Sequence, residues 1–479
     1  MRAHPAGPRH GTDQSVVGVP VRPASLNELD AAVWPRHARR ESNGVITLAG
    51  NDVRELIETY GSPLYVLDEA DVRSRAREFV TAYSVFDRGV EVHYAAKAFL
   101  STKVAQWLTE EGLGIDVASG GELAIALAGG VDPAHILMHG NNKSEDELAA
   151  AVDAGVGHVV IDSFIEIARL AQLAADRGVV QPVLIRVTVG VEAHTHEFIA
   201  TAHEDQKFGF SITSGDALEA VRRIIKLPSL EFVGVHSHIG SQIFDASGFA
   251  VAAQRVVSFV QTLNDECDVQ VSVINLGGGM GIAYVPGDDP LDASSMALAL
   301  RDIVGKAYAD SGLDVPKMAF EPGRAIIGPG GVTLYTVGTI KPVELDGGVV
   351  RTFVSIDGGM SDNIRTALYD AAYTVTLASR SSDAEPMLVR IVGKHCESGD
   401  IVVRDAWLPS DLAEGDLLAV AATGAYCRSM ASNYNAVVRP AVIGVLDAGA
   451  QVLMRRETID DLLALDAGIS SESGSGHVA

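Results

Sequence analysis

The chain has 479 residues, 47% of them hydrophobic and 21% charged, the composition of a globular protein with room for two or three domains. A formal net charge of −25 argues against a nucleic-acid partner and an anionic membrane surface, both of which attract basic footprints. Three cysteines with no Cys-x-x-Cys argue against a disulfide framework and a zinc ribbon, and no run of about 18 apolar residues offers a membrane span. The opening MRAHPAGPRHGTDQ lacks the apolar stretch of a secretory signal, so a cytoplasmic protein is expected.

Residues 1–30 read as a disordered extension. The segment 31–65 holds a strand-like GVITLAG (44–50) and is expected to pack with a later β domain. Strand-like runs then follow at VHYAAK (92–97), GIDVAS (114–119), ILMHG (136–140) and HVVIDS (158–163), their starts 22 residues apart. VLIRVTV (183–189), FVGVHSHIG (232–240), VSVINLGGG (271–279) and MAFEPGR (318–324) continue the series, and helical stretches such as SEDELAAAVDAG separate them. Eight such strands predict a (β/α)8 TIM-type barrel over 66–330. A doubly wound open sheet has the same rhythm and stays open as an alternative, whereas a solenoid is disfavoured because the later spacings lengthen. Beyond it, VTLYTVGTI, VVRTFVSIDGG, AYTVTLASR, MLVRIVG, DIVVRDAWL, DLLAVAAT and QVLMRRET read as successive strands. They predict an all-β sandwich or partial barrel over 331–465, so the fold class is α/β plus all-β. The tail 466–479 reads as disordered.

VHYAAKAFL sets Lys97 among apolar residues. A desolvated lysine loses its proton more readily, and the neutral amine forms Schiff bases. Snorkelling from a strand end to water is the competing account. Barrel active sites form at the C-terminal ends of the strands. Lys97, Asp116, Ser119, Glu122, His139, Asn141, Asn142, Arg186, His238, Ser241, Gly277, Gly278, Gly279, Glu321 and Arg324 all fall there.

In NLGGGMG (275–281), consecutive glycines let backbone N–H groups converge on an anion, although a tight turn reads the same way. The spacing is not G-x-G-x-x-G, and Pro286 and Pro290 prevent a long helix directly after it. The position after strand seven is one where barrels hold phosphate, and Arg324 adds charge. HSHIGSQ (236–242) and EAHTHEF (192–198) carry His-x-His pairs that share a strand face. No third and fourth ligand is evident, so no metal is expected; His238 stacking on an aromatic cofactor is the other use of the ring. A buried Glu321 needs a cation, and a protonated pyridine nitrogen, an ion pair with Arg324 or a helix cap are the candidates.

Together, HYAAKAF, HGNNKS, GVEAHTHEFIATAHEDQKFGF, HSHIGSQIFD, LGGGMGI, EPGRAI, DGGMSDNIRTALYDA, GKHCESGDI and ATGAYCRSMASNYN resemble the diaminopimelate decarboxylases, pyridoxal-phosphate enzymes of the alanine-racemase-like class. The resemblance runs in order through roughly residues 30–455. It departs from the pattern at RVTVGVEAH (186–194), where many relatives have Asn-Pro before the glycine.

The resemblance implies a homodimer with shared active sites and pyridoxal 5'-phosphate carried on Lys97. It sets His238 on the cofactor ring and Tyr426 on the phosphate side. Ser241, Gly277, Gly278, Gly279, Glu321, Pro322, Gly323 and Arg324 then surround the phosphate and ring nitrogen. Arg324, Arg365, Tyr369, Glu397 and Tyr426 are implied substrate contacts, with Cys396 and Glu397 entering from the partner subunit. Cys396 is the implied proton donor, since a thiol with a pKa of ~8.5 is protonated at neutral pH; a structural cysteine is the competing account. The implied reaction converts meso-2,6-diaminopimelate to L-lysine and carbon dioxide, the last step of lysine biosynthesis. Arg365 argues for this substrate, because a second carboxylate suits a planar guanidinium; pairing with Asp362 competes. The alternatives are a decarboxylase of ornithine, arginine or lysine, a racemase on the same barrel, and a non-catalytic pyridoxal-phosphate protein.

Overall fold

A computed structural model describes residues 20–190, 207–345, 348 and 350–468. The His194/His196 pair and residues 1–19 and 469–479 lie outside the described residues. Of the stretches expected to be disordered, 1–30 and 466–479, residues 20–30 and 466–468 are described, and Trp407 Nε1 donates to Pro20 O and Asn27 Nδ2 to Ser382 O. The chain divides into two units: Glu69–Ala283 with Gly287–Pro329, and Met1–Asp68 with Tyr284–Pro286 and Gly330–Ala479.

The first of these units is built on eight parallel strands: Val90–Ala95, Gly114–Val117, Ile136–Met138, His158–Ile161, Gln181–Thr188, Leu230–His236, Val273–Asn275 and Lys317–Phe320. Each pairs in parallel with the next, and Met318 opposite Val90 joins the last strand to the first. That closing pair makes the sheet a barrel and excludes the open sheet and the solenoid. A short extra strand, Phe210–Ser211, pairs beside Gln181–Thr188.

Several strands stop short of their expected ends because the last polar residues start helices instead. Ser119 caps the helix Gly120–Ala128, its Oγ accepting from Glu122 N, while a Glu122 carboxylate oxygen accepts from Ala118 N. Ser144 and Glu147 form a capping box on Glu145–Ala154, and Ser163 caps Phe164–Asp176. Ser119 and Glu122, expected at the rim as site candidates, are therefore engaged in starting a helix. Side chains alternate along a strand, so Leu184 lies on the face of Arg186, Val273 on that of Asn275 and Ala319 on that of Glu321. Leu137, Val160, Leu184, Val273 and Ala319 pack into one buried cluster, an apolar floor beneath those polar residues.

The other unit is the expected β domain. Its main sheet runs Ile401–Pro409, Pro386–Val392, Val350–Ile356, Gly331–Glu344, Leu64–Asp68, Ala441–Leu446, Gly449–Met454. Leu417–Ala421 pairs with Gly331–Glu344 on one side and with Val375–Leu377 on the other. Two of these strands, Leu64–Asp68 and Ala441–Leu446, were not expected. LYVLD (64–68) is buried throughout and is inserted between Gly331–Glu344 and Ala441–Leu446. Its continuous burial erases the alternation that would have flagged it. GVITLAG contributes Ile46–Leu48 to a separate three-stranded sheet, anchored to this unit by Ile46 N donating to Ala378 O. Among the described residues no helix is long and apolar enough to cross a membrane.

Candidate active site

The polar centre of the barrel unit is Glu321, one residue past the last strand and 6% exposed. Three side chains from three other strand ends donate to its carboxylate. His139 Nε2 reaches Oε1 at 2.8 Å, Asn275 Nδ2 reaches Oε1 at 2.7 Å, and His236 Nε2 reaches Oε2 at 3.3 Å. Burial pushes the Glu321 carboxyl up, but His139 and His236 outweigh it and hold the group well below the usual carboxylate range. Burial also lowers His139, yet Asp116 and Glu321 together bring it above an ordinary histidine. His236 is pulled down to about 4 by burial and stays neutral at physiological pH. Asp116, 3.8 Å from His139, is pushed up to about 7 by burial.

None of the partners expected for Glu321 from the protein itself is the observed one. It is not a cap and does not pair with Arg324, whose Nη2 donates instead to Ser241 Oγ at 2.9 Å. His139, Asn275 and His236 converge only because three strands end together. His139 Nε2, His236 Nε2 and a Glu321 oxygen also lie within 4.8 Å of one another. The third ligand-type group missing from the His-x-His spacing is thus His139, on a different strand, and His238 is not part of the trio.

Lys97 sits just beyond the first strand, in the single turn Ala96–Ala98. Its neighbours Ala96, Ala98 and Phe99 are buried, but Lys97 itself is exposed, so the expected enclosure of the amine is not seen in the chain alone. His238 is half-buried, and burial, with Lys97 and Arg186 adding to it, holds its ring well below the usual histidine range and hence neutral. Arg186 lies 4.3 Å above the Phe208 ring.

Close packing explains the glycines. A Cβ on Gly278 would meet Glu321 O at 2.1 Å, and one on Gly279 would meet Gly240 O at 2.5 Å. Gly277 has φ +68, where a side chain is strained. Two of the three N–H groups are already used: Gly277 donates to Asn275 Oδ1 and Gly278 to His238 Nδ1. Among the described residues, Gly279 N–H meets no acceptor. Pro322 O accepts from Ala95 N, and a Cβ on Gly323 would touch Ala95 at 3.0 Å. The EPGR segment is thereby pressed against the strand that carries Lys97.

These residues fit pyridoxal phosphate. One Glu321 oxygen is doubly engaged while Oε2 receives a single long hydrogen bond, which leaves it room for one more donor such as a protonated ring nitrogen. Next to it stand a neutral imidazole face and a glycine turn whose backbone can approach an anion.

In the β unit, Arg365 opens the short helix Arg365–Tyr369, which puts Tyr369 one turn away on the same face. Arg365 is buried and does not pair with Asp362. Its Nη1 donates to Tyr373 Oη at 2.5 Å, and its Cζ lies 4.8 Å from the Tyr284 ring centroid. Among the described residues no carboxylate lies within ion-pair distance of it. Cys396 and Glu397 are both exposed, on a loop that Asp400 shapes by accepting from His395 N and Met360 N. A buried structural role for Cys396 is thereby excluded. Tyr426 holds φ +61, a backbone state rare for a bulky residue and typical of functional turns.

Comparisons with known proteins agree with this chemistry. The family described as pyridoxal-dependent decarboxylase, pyridoxal binding domain, matches residues 69–328. The diaminopimelate decarboxylase of Mycobacterium leprae is 55% identical over 473 residues, covering 97% of this chain and 100% of the relative. That of Bacillus subtilis is 44% identical, covering 90% of this chain and 97% of its own. The crystal structure of diaminopimelate decarboxylase from M. jannaschii in complex with L-lysine superposes with a TM-score of 0.84 at 32% identity, covering 90% of this chain and 98% of that one. On this evidence of sequence, fold and site chemistry, the chain belongs to the diaminopimelate decarboxylases, within the pyridoxal-dependent decarboxylase family.

Proposed function

We propose that this chain, with pyridoxal 5'-phosphate, removes one carboxylate of meso-2,6-diaminopimelate as carbon dioxide and yields L-lysine, the last step of lysine biosynthesis. The observation that carries this reading is the buried Glu321 carboxylate, kept ionised by His139 and His236 at the strand ends. Bound there, the cofactor supplies an electron sink for the pair left by the departing carboxylate. Glu321 keeps a proton on the ring nitrogen, which an uncharged neighbour would not do. Lys97 is the amine that takes the cofactor's aldehyde, and its exposure makes it reachable. His238 offers an uncharged ring face, and Ser241, Arg324, Gly279 and Tyr426 hold the phosphate.

Arg365 takes the substrate's second carboxylate, with Tyr369 beside it and Glu397 on the far ammonium. Ornithine and lysine carry no second carboxylate, so a buried guanidinium without a carboxylate partner favours diaminopimelate over them. Cys396 delivers the proton that replaces the lost carboxylate. The exposure of Cys396 and Glu397 suits a homodimer in which each subunit completes its partner's site. The protein is expected to act in the cytoplasm. Incubation with meso-diaminopimelate and cofactor is expected to release lysine and carbon dioxide in equal amounts, and Lys97→Ala neither. Release of carbon dioxide from ornithine or lysine alone would overturn the substrate assignment.

A further inference from the structure

Arg365 is 6% exposed, and the groups packed on it are unusual for a buried cation. They are Tyr373, Tyr284 and, behind Tyr373, Cys427, which are 4%, 5% and 0% exposed. A guanidinium has five N–H donors and no acceptor, so the Arg365–Tyr373 bond has one possible direction. Tyr373 Oη accepts from Arg365 Nη1 and also lies 3.6 Å from Cys427 Sγ, a contact in which either group can donate. The Tyr284 and Tyr373 rings meet edge to face, with centroids 5.2 Å apart at 78°, so each prevents the other from turning. Thr374 Oγ1 donates to Tyr284 O at 2.8 Å and anchors that ring's backbone. The guanidinium therefore has one corner fixed by a hydroxyl and one face covered by an aromatic ring. Its other N–H groups receive no acceptor from the described residues. Burial drives the Tyr373 phenol well above its ordinary value, so this neighbour is neutral and leaves the Arg365 charge uncompensated.

We propose that Tyr373 and Tyr284 are positioning residues that set substrate specificity, clamping the Arg365 guanidinium in the plane that receives the second carboxylate of the substrate. The inference rests on the assignment of Arg365 above and extends it to the two residues that pack on its guanidinium. A free guanidinium on three methylenes samples many orientations. One held by an oxygen and a ring presents a ready-made fork and loses little freedom on binding.

The test is inhibition by two compounds that differ in one group. L-Lysine retains the carboxylate that Arg365 grips; cadaverine lacks it. In the cofactor-loaded enzyme, Tyr373→Phe is expected to raise KM for meso-diaminopimelate and the inhibition constant of lysine about tenfold. The constant for cadaverine, the cofactor's absorbance and kcat should change less than about threefold. Tyr284→Leu should give the same pattern through loss of the ring, and it decides the matter by the same criteria if Tyr373→Phe does not fold. Equal weakening of lysine and cadaverine, or no change in either, overturns the inference. Arg365→Ala separates the two levels. If that variant still binds lysine normally, the assignment of Arg365 itself fails. If it loses lysine while Tyr373→Phe keeps it, only the clamp fails.

Discussion

The two units each bury a charge, and they treat it in opposite ways. In the barrel unit, Glu321 is met by His139, Asn275 and His236, donors from three strands. In the β unit, Arg365 has one hydroxyl and the faces of two tyrosines, with no anion among the described residues. A buried charge without its counter-charge is costly, and mutual attraction offsets that cost only when geometry and hydrogen bonding are good. Glu321 thus belongs to a finished electrostatic unit whose state is set in the folded chain. Arg365 is stable in spite of its charge, and its need for an anion is what a dicarboxylic substrate can meet. One site holds a fixed electronic condition; the other holds a demand.

That contrast can be broken most forcefully at Glu321. Glu321→Ala removes the carboxylate that His139, Asn275 and His236 share and leaves His139 only the more distant Asp116, so a loss of about 3–5 kcal/mol of stability is expected in urea unfolding. A loss below about 1 kcal/mol would mean that the cluster is not the compensated unit described.

The next effect is on pH dependence. Burial holds His236 at about 4 in the folded chain, below its unfolded value of about 6.5. The unfolded chain then binds a proton that the folded chain refuses, so stability is lost as pH falls from about 6.5 to about 4. This one group contributes at most about 3 kcal/mol. In His236→Gln, which keeps a donor for Glu321, the stability profile over that window should flatten by the same order. An unchanged slope would show that His236 titrates normally.

Arg365→Ala sharpens the other side. Removing a cation that has no counter-anion should change stability by about 1 kcal/mol or less, while KM for diaminopimelate rises roughly 100-fold and cofactor binding is kept. A large loss of stability with unaltered KM would make Arg365 structural and erase the difference between the units. The smallest effect is expected at Ser119, a rim residue by position but a cap by bonding. Ser119→Ala should cost about 1 kcal/mol of stability with kcat/KM unchanged. A fall in kcat/KM without a loss of stability would return it to the site.

Strand period and spacing were enough to foresee eight parallel strands and a following β domain. The barrel's closure was not legible, because the pair Met318–Val90 joins residues more than two hundred positions apart. LYVLD escaped notice because a strand buried on both faces shows no alternation. At the site, residue types drew attention to His238, Glu321 and the glycines. They could not reveal that His139 and Asn275 would share Glu321 Oε1, nor that two of the glycine N–H groups were already engaged. One signal was available: His236 and Asn275 each end a strand, as the residues expected to line a barrel rim do.

By itself the order of residues determined the local features: which runs form strands, where serines start helices, and which turns need glycine. Each of these depends on neighbours a few positions apart, through periodicity, capping and backbone sterics. Tertiary structure alone decided the charge states and the partners. It buried Glu321 among histidines from other strands, left Lys97 and Cys396 exposed, and set Arg365 against two aromatic rings and away from Asp362. Ionisation and hydrogen bonding depend on burial and on distances of a few ångströms, and only the closed fold brings such distant positions that near.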